Sequence, residues 1–257
     1  VIDIELPPIV RFERQGGGQD AIQKAAKMLS EAKFPVILSG AGVVIGDAIN
    51  ECKALAEKLD APVCNGYQHN DSFPGSHPLA VGPLGYNGSK AAMQLISKAD
   101  VVLALGTRLN PFSTLPGYGI DYWPKDANII QVDMNPDRIG LTKKVTVGIA
   151  GDAKQVALQI LNKLSSKAGD SGREERKNLI HQTKSAWLQT LTSLDHEEDD
   201  PGTVWNKEAR ERDKDRMSPR QAWRAIQAAM PEDAIISSDI GNNCAIGNAY
   251  PTFEKPR

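Results

Sequence analysis

The stretch PVILSG at residues 35–40 is a short apolar run that ends in glycine, and two similar runs follow it, VVLALG at 101–106 and IIQVD at 129–133. Runs of this kind are typical of strands that are buried on both faces of a parallel sheet. Around them, apolar residues recur at the spacing of one helix face. This alternation predicts βαβ units, and therefore an α/β fold with a doubly wound parallel sheet.

The weaker elements of the same pattern lie between these strands. The first predicted helix has Asp20 as its expected N-cap, with Gln23 three residues later at the capping-box spacing. Further helices are predicted around residues 52–59, 92–96 and 156–164, and short strands at 62–64 and 145–149. The stretch 66–88 is rich in glycine and polar residues and is predicted to be a long loop.

Changes in composition divide the chain into four predicted parts. These are a linker at 1–19, a central Rossmann-like domain at 20–165, a charged linker with one helix at 166–216, and the truncated start of a second α/β domain at 217–257. The last part combines a helix that begins at Ser218-Pro219 with a predicted buried strand at 234–239. Since the sequence opens without Met and ends soon after that strand, we expect a piece of a longer protein.

The overall composition excludes several classes of protein. With 257 residues, 40% hydrophobic and 24% charged residues and a formal net charge of −2, the chain resembles ordinary globular proteins. Lys and Arg form no basic stripe, so a nucleic-acid or anionic-membrane partner is not expected. No apolar run approaches a membrane span, and no signal peptide opens the chain, which favours a cytoplasmic location. The three cysteines are far apart and are expected to be reduced thiols.

Glycines and polar residues follow the ends of three predicted strands. In an open α/β sheet, ligands bind at the carboxyl ends of the strands near the switch point. Gly40 and Gly42 could allow backbone N–H groups to approach a phosphate, Thr107 and Arg108 offer a hydroxyl and a guanidinium, and Asp133 could accept from a ribose hydroxyl. Together they predict a nucleotide crevice. Tight turns in a domain that serves only as a scaffold are the alternative.

Two further clusters are ambiguous on chemistry alone. His69, Asp71 and His77 lie in one loop, but their spacing fits no standard metal motif, so a hydrogen-bonded loop is expected. The turn Gly241-Asn242-Asn243 follows the predicted strand at 234–239 and could bind an anion such as a diphosphate, or be an ordinary βα turn. The GxSxG, HExxH and P-loop patterns do not occur in the sequence.

Several segments resemble the thiamine-diphosphate-dependent decarboxylase and carboligase superfamily. PVILSGAG at 35–42, ADVVLALGTR at 99–108 and GDA at 151–153 are similar to its central domain, and 218–243 is similar to the start of its pyrophosphate domain. The resemblance implies that Gly241–Asn243 contact the diphosphate of thiamine diphosphate. It also implies that the activating glutamate and the Mg²⁺ ligands lie outside this chain, so we expect no catalytic residue and no metal ligand within it.

Within the superfamily, YQHNDSFP at 67–74, GPLGYNGSKAAM at 82–93 and LNPF at 109–112 resemble the acetyltransferases that act on sulfoacetaldehyde. Acetolactate synthases are the nearest alternative, but they usually carry Gln-His where this chain has Asn242-Asn243. The resemblance implies conversion of sulfoacetaldehyde and phosphate to acetyl phosphate and sulfite, in a homodimer or homotetramer. A non-catalytic domain that binds FAD or ADP is the alternative from another class, and a sirtuin-type NAD domain is disfavoured because a paired-cysteine zinc site is missing.

Overall fold

A six-stranded, entirely parallel sheet forms the centre of the molecule. This computed structural model describes residues 13–193, 217, 219–231, 233–239 and 241–255. The strands follow the order β3-β2-β1-β4-β5-β6 across the sheet. Their bounds are β1 Pro35–Ser39, β2 Val63–Asn65, β3 Ala80–Pro83, β4 Val101–Leu105, β5 Asn128–Asp133 and β6 Val147–Ala150.

Helices cover both faces of the sheet, as the doubly wound pattern predicts. Helix α5 packs against α1 and α3, whereas α4 packs against α6. The crossover from β1 to β2 and the crossover from β3 to β4 run in opposite directions, so right-handed connections place α3 and α4 on opposite faces. The helices are α1 Gln19–Glu31, α2 Ala41–Ile45, α3 Ile49–Leu59, α4 Lys90–Ile96, α5 Ala153–Lys163, α6 Arg173–Ser193, α7 Pro219–Ala229 and α8 Asn242–Ala249.

The two central strands explain why the apolar runs are continuous rather than alternating. Every residue of β1 and of β4 is buried, because helices cover both faces of the sheet at this point. The predicted face of α1 is also confirmed, since Ile22, Ala25, Ala26 and Leu29 are all buried. Strands buried on both faces appear in the sequence as continuous apolar runs, and the prediction of the fold class and of the main strands from these runs is therefore confirmed.

Two predictions about local structure are wrong. The stretch 66–88 is not loop throughout, because it contains the edge strand β3. The sequence does not predict a strand there because Gly82 weakens a strand and Pro83 is tolerated in strands mainly at sheet edges. In addition, α1 has Gly18 as its N-cap, without a side-chain hydrogen bond. Asp20 lies in the first turn of α1, where a negative charge interacts favourably with the helix dipole.

The predicted strand at 234–239 is also absent, since these residues have no regular structure. Ile235 is 84% exposed, although its apolar neighbours suggested a buried strand. The physical reason is that a parallel strand needs neighbouring strands, and no strand among the described residues pairs with it. The helix after Pro219 is present as α7, whereas the expected cap Ser218 lies outside the described residues.

Part of the predicted charged linker packs tightly against the sheet domain. The predicted helix is present as α6, and Ala168, Arg176 and Ile180 near its start are at most 3% exposed. The domain boundaries themselves stay predictions. The acidic run at 196–200 and the charged run at 208–216 lie outside the described residues. None of the helices in the described ranges is long and apolar enough to cross a membrane.

Candidate functional site

A crevice of about 570 Å³ lies at the carboxyl ends of the central strands. Four of the five predicted nucleotide-site residues line it, namely Gly42, Thr107, Arg108 and Asp133. The fifth, Gly40, lies beside Thr107 at the end of β1. The crevice opens between β1 and β4, where the strand order reverses direction, and ligands of open α/β sheets bind at such switch points. That a nucleotide binds here stays a prediction.

The glycines of this crevice are explained by the packing of two turns rather than by the approach of a phosphate. The N–H of Gly42 donates to Gly106 O at 2.8 Å, and the N–H of Gly40 donates to Leu105 O at 3.1 Å. A Cβ on Gly42 would lie 2.7 Å from Gly106 Cα, and Gly106 has φ +61°. These glycines therefore let the turns after β1 and β4 approach each other, and their N–H groups are already engaged.

Three guanidinium groups give the crevice a positive character. Arg14, Arg108 and Arg138 line it together with the carboxylates of Asp133 and Asp152, so the formal balance is three minus two, or +1. Asp152 is 2% exposed, and its Oδ1 accepts from the N–H of Gln155 at 3.1 Å as the N-cap of α5. With three arginines against two carboxylates, the crevice has the guanidinium groups to bind an anion.

Sequence reasoning missed two of these arginines. Arg138 belongs to the NPDR turn at 135–138, directly after β5, so a search of every strand-end turn for guanidinium groups could have found it. Arg14 falls in the predicted linker, where no signal in the sequence marks it. In the structure, Arg14 Nη1 donates to Gly46 O and lies 3.9 Å from Asp152 Oδ1. The first residues of the described chain thus contribute to the crevice.

Buried polar groups hold the strand-end turns of the crevice in place. The amide of Gln131, which is 1% exposed, donates to Thr107 O at 3.2 Å and to Arg138 O at 3.1 Å. Asp133 Oδ1 accepts from the N–H of Asn135 at 2.9 Å, so one of its oxygens is already engaged. Burial lowers the pKa of His69, which favours the neutral imidazole over a fourth cation in the crevice.

The turn predicted to hold the cofactor diphosphate is open on one side. Gly241 is the N-cap of α8 with φ +87°, and a Cβ placed on it would meet no atom within 4 Å. The first N–H groups of a helix have no partner within the helix, and such groups bind phosphates. The backbone at Gly241 therefore fits a diphosphate. The side chains of Asn242 and Asn243 lie outside the described part of the structure, and the cofactor contact stays a prediction.

The histidine loop is held by hydrogen bonds. His77 Nδ1 accepts from the N–H of Leu79 at 3.1 Å, and His77 Nε2 lies 3.3 Å from Glu57 Oε1. Among the described residues, no group of three His, Cys, Asp or Glu side chains could hold a metal ion. All three cysteines are free thiols. Cys52 and Cys64 are buried and Cys244 is half-buried, and burial raises the pKa of Cys52 to about 12.

Comparison with known proteins identifies the family. The model of the thiamine pyrophosphate enzyme central domain matches residues 22–161. The chain is 79% identical over its whole length to a probable sulfoacetaldehyde acetyltransferase of Rhizobium meliloti (strain 1021), covering 44% of that protein. It is 74% identical to the sulfoacetaldehyde acetyltransferase of Roseovarius nubinhibens, covering 43%. A probable acetolactate synthase large subunit of Methanocaldococcus jannaschii is 41% identical over 75% of this chain, which covers 31% of that protein.

The chain thus spans less than half the length of these curated relatives. The family match includes all six strands of the sheet and extends over more than half of the chain. The strand order and the switch-point crevice agree with a nucleotide-type central domain. From the matched residues and the observed fold, we conclude that this chain belongs to the thiamine pyrophosphate enzyme family and contains its central domain.

Proposed function

We propose that the whole protein is a thiamine-diphosphate-dependent acetyltransferase that converts sulfoacetaldehyde and phosphate to acetyl phosphate and sulfite. The observation that carries this proposal is the 79% identity, over the entire chain, to the Rhizobium meliloti relative named for that activity. Identity to the acetolactate synthase relative of Methanocaldococcus jannaschii is lower, at 41%, and covers less of the chain. When bound, thiamine diphosphate supplies the nucleophilic carbon for this chemistry.

Within this proposal, the chain supports the reaction without carrying it out. The backbone at Gly241–Asn243 would bind the diphosphate of the cofactor, since Gly241 lacks a Cβ and leaves the N terminus of α8 open. The activating carboxylate and the Mg²⁺ ligands would come from parts of the protein outside this chain. The sheet domain would hold α8 in place, because the segment that follows Gly241 packs against it.

The test is an assay of the full-length protein with sulfoacetaldehyde, phosphate, thiamine diphosphate and Mg²⁺. We expect release of sulfite and formation of acetyl phosphate, each dependent on added cofactor and phosphate. The 257-residue chain by itself is the matched control and should release no sulfite. Formation of acetolactate from pyruvate, with no turnover of sulfoacetaldehyde, would instead support the carboligase alternative.

A second candidate function concerns the crevice at the switch point. Its volume of about 570 Å³ and its three arginines favour an adenine nucleotide such as ADP or FAD, with the phosphates on Arg14, Arg108 and Arg138. Calorimetry with ADP, FAD and NAD tests this directly. We expect Arg108→Met and Arg138→Met each to weaken binding and to reduce its salt dependence, whereas Arg173→Met, outside the crevice, should not. Absence of binding by all three ligands would indicate that the domain is only a scaffold.

The assembly and location of the protein follow from the same proposal. A homodimer or homotetramer in the cytoplasm agrees with the implied family, in which the cofactor is held between subunits. Light scattering coupled to size-exclusion chromatography of the full-length protein measures the subunit number. A monomer that is active at all concentrations would contradict this part of the proposal.

A further inference from the structure

The buried side chain of Asn248 links the last turn of helix α8 to the sheet domain. Asn248 is 0% exposed. Its Oδ1 accepts from the N–H of Gln68 at 2.7 Å, and its Nδ2 donates to Tyr86 O at 3.0 Å. Both partners belong to the 66–88 stretch, more than 160 residues earlier in the sequence. The Asn248 amide thus joins α8 to the loops beside the edge strand β3.

A second amide completes this contact from the opposite side. Asn70, which is 8% exposed, donates through Nδ2 to Asn248 O and to Pro251 O, both at 2.8 Å. Asn70 therefore holds the carbonyl groups at the end of α8. The two asparagines together hold the end of the helix by four hydrogen bonds, two through the Asn248 side chain and two through the Asn70 side chain.

The first turn of α8 is held by contacts of another kind. Cys244 Sγ lies 2.7 Å from Gln68 Nε2 and 3.2 Å from the hydroxyl of Tyr67. Gln68 has φ +62°, a left-handed conformation that is unfavourable for a residue with a side chain. In this conformation the N–H of Gln68 donates to Asn248, and the side chain of Gln68 reaches Cys244. The loop at Gln68 is therefore shaped to hold both ends of the helix.

These contacts determine where Gly241 lies. Asn248 follows Gly241 by seven residues (248 − 241), which is about 10 Å along a helix, and Cys244 lies between them. Because α8 is one rigid element, fixing Asn248 and Cys244 also fixes the N–H groups at its N terminus. A helix that is free to move at its last turn would have to become ordered when a ligand binds, and the measured affinity would fall accordingly.

We propose that Asn248 is a positioning residue for the cofactor: with Asn70 and Gln68 it holds α8 so that the Gly241–Asn243 turn is preorganised for the diphosphate. The inference rests on the proposed function, in which that turn binds thiamine diphosphate. Asn248 itself touches neither cofactor nor substrate in this scheme. Its effect is on cofactor affinity, and the chemical step at saturating cofactor should be nearly unchanged.

The experiment uses the full-length protein and measures the Kd for thiamine diphosphate by fluorescence or calorimetry, together with kcat at saturating cofactor. Asn248→Ala should raise the Kd by about tenfold or more, because the N–H of Gln68 and the carbonyl oxygen of Tyr86 lose their hydrogen-bond partner. The value of kcat should change by less than about twofold, because Asn248 contributes to ordering the turn rather than to the reaction. The matched control is Ser76→Ala, which removes a hydroxyl that contacts Glu254 at 2.7 Å, farther along the same docked segment. Its Kd should equal that of the unmutated protein.

Thiol labelling gives a second readout, independent of activity. Cys244 is the half-buried thiol, whereas Cys52 and Cys64 are buried. Asn248→Ala should therefore speed the labelling of Cys244 by an aromatic disulfide, and Ser76→Ala should not. In the unmutated protein, thiamine diphosphate should slow this labelling, because it further orders the first turn of α8.

The outcomes separate the two proposals. If the unmutated protein fails to bind thiamine diphosphate, the proposed function is wrong, and so is the role of Asn248 that depends on it. If the unmutated protein binds the cofactor and Asn248→Ala binds it equally well, only the positioning role is overturned. Should Asn248→Ala fail to fold, Asn70→Ala decides the question, because it removes the donor to Asn248 O and Pro251 O. An unchanged Kd in that variant would overturn the inference.

Discussion

The guanidinium of Arg176 donates to the carbonyl oxygen of Leu59 at 2.8 Å, across 117 positions of sequence. The same nitrogen, Nη2, also donates to Gly169 O, while Nε donates to Asp60 O and Nη1 donates to Lys33 O and Ser171 O. Arg176 is 1% exposed, and burial lowers its pKa, yet a guanidinium remains charged at any pH at which proteins fold. One side chain thus ties the start of α6 to the end of α3 and to the turn before β1.

We expect Arg176→Met to destabilise the protein strongly. The substitution removes the donors of five carbonyl groups, and losing a buried, charged hydrogen-bonding group costs about 3 kcal/mol or more. The free energy of unfolding in urea measures the effect. Arg173→Met is the matched control: its side chain is 31% exposed and pairs with Asp60 and Asp170, so its loss should cost about 1 kcal/mol or less. Equal effects of the two variants would contradict the role assigned to Arg176.

The close approach of the turns after β1 and β4 gives a second prediction. Gly42→Ala places a Cβ 2.7 Å from Gly106 Cα, so one of two backbones must move. We expect a loss of about 1–3 kcal/mol, although Ala is the better helix former. Gly66→Ala, at the same crevice, is the control, because its Cβ would lie 3.5 Å from the nearest atom, Ser39 O. A chemical denaturation series that shows Gly42→Ala to be neutral would refute this account.

His69 predicts a dependence of stability on pH. Burial lowers its pKa in the folded protein, and nearby Asp71 only partly opposes this. Above the unfolded pKa of about 6.5, His69 is neutral in both states and its stabilising contribution is complete. As the pH falls, the unfolded chain takes up the proton first, so the free energy of unfolding decreases until the folded-state pKa is also passed.

His69→Gln should therefore lose less stability between about pH 7.5 and pH 5.5 than the unmutated protein does. Thermal unfolding at a series of pH values measures this difference. Ile160→Val is a suitable control, since it alters a fully buried position of α5 without a titrating group and should keep the original pH dependence. A His69→Gln curve parallel to that of the unmutated protein would show that His69 is not responsible.

The three thiols should differ sharply in reactivity. The thiolate is the reactive form, and burial keeps Cys52 and Cys64 both inaccessible and protonated by raising the pKa of each thiol. We expect an aromatic disulfide to label one thiol of the folded chain quickly, and three in urea. Cys244→Ser should remove the fast reaction, whereas Cys52→Ser should leave it intact. Rapid labelling of two or more thiols in the native chain would contradict the burial described for α3 and β2.

Much of the candidate site could be predicted because it follows strand ends. Thr107 and Arg108 closely follow the apolar strand β4, and Asp133 is the last residue of β5, so the parallel strands bring all three to one edge of the sheet. Arg14 could not be found in this way, since it lies outside every strand–helix unit and reaches the crevice only through the packed chain. The contacts of Arg176 and Asn248 also bring together residues more than 100 positions apart.

The amino-acid sequence by itself determined the doubly wound sheet and the identity of its central strands. Strands buried on both faces must be apolar throughout, so local composition carries that information. The tertiary structure alone decided that Ala80–Pro83 forms an edge strand and that 234–239 does not form a strand. It also decided that Gly42 lies against Gly106. These outcomes depend on which segments are available for strand pairing or for packing. Segments that are distant in the sequence do not affect the local pattern, so the pattern cannot show such contacts.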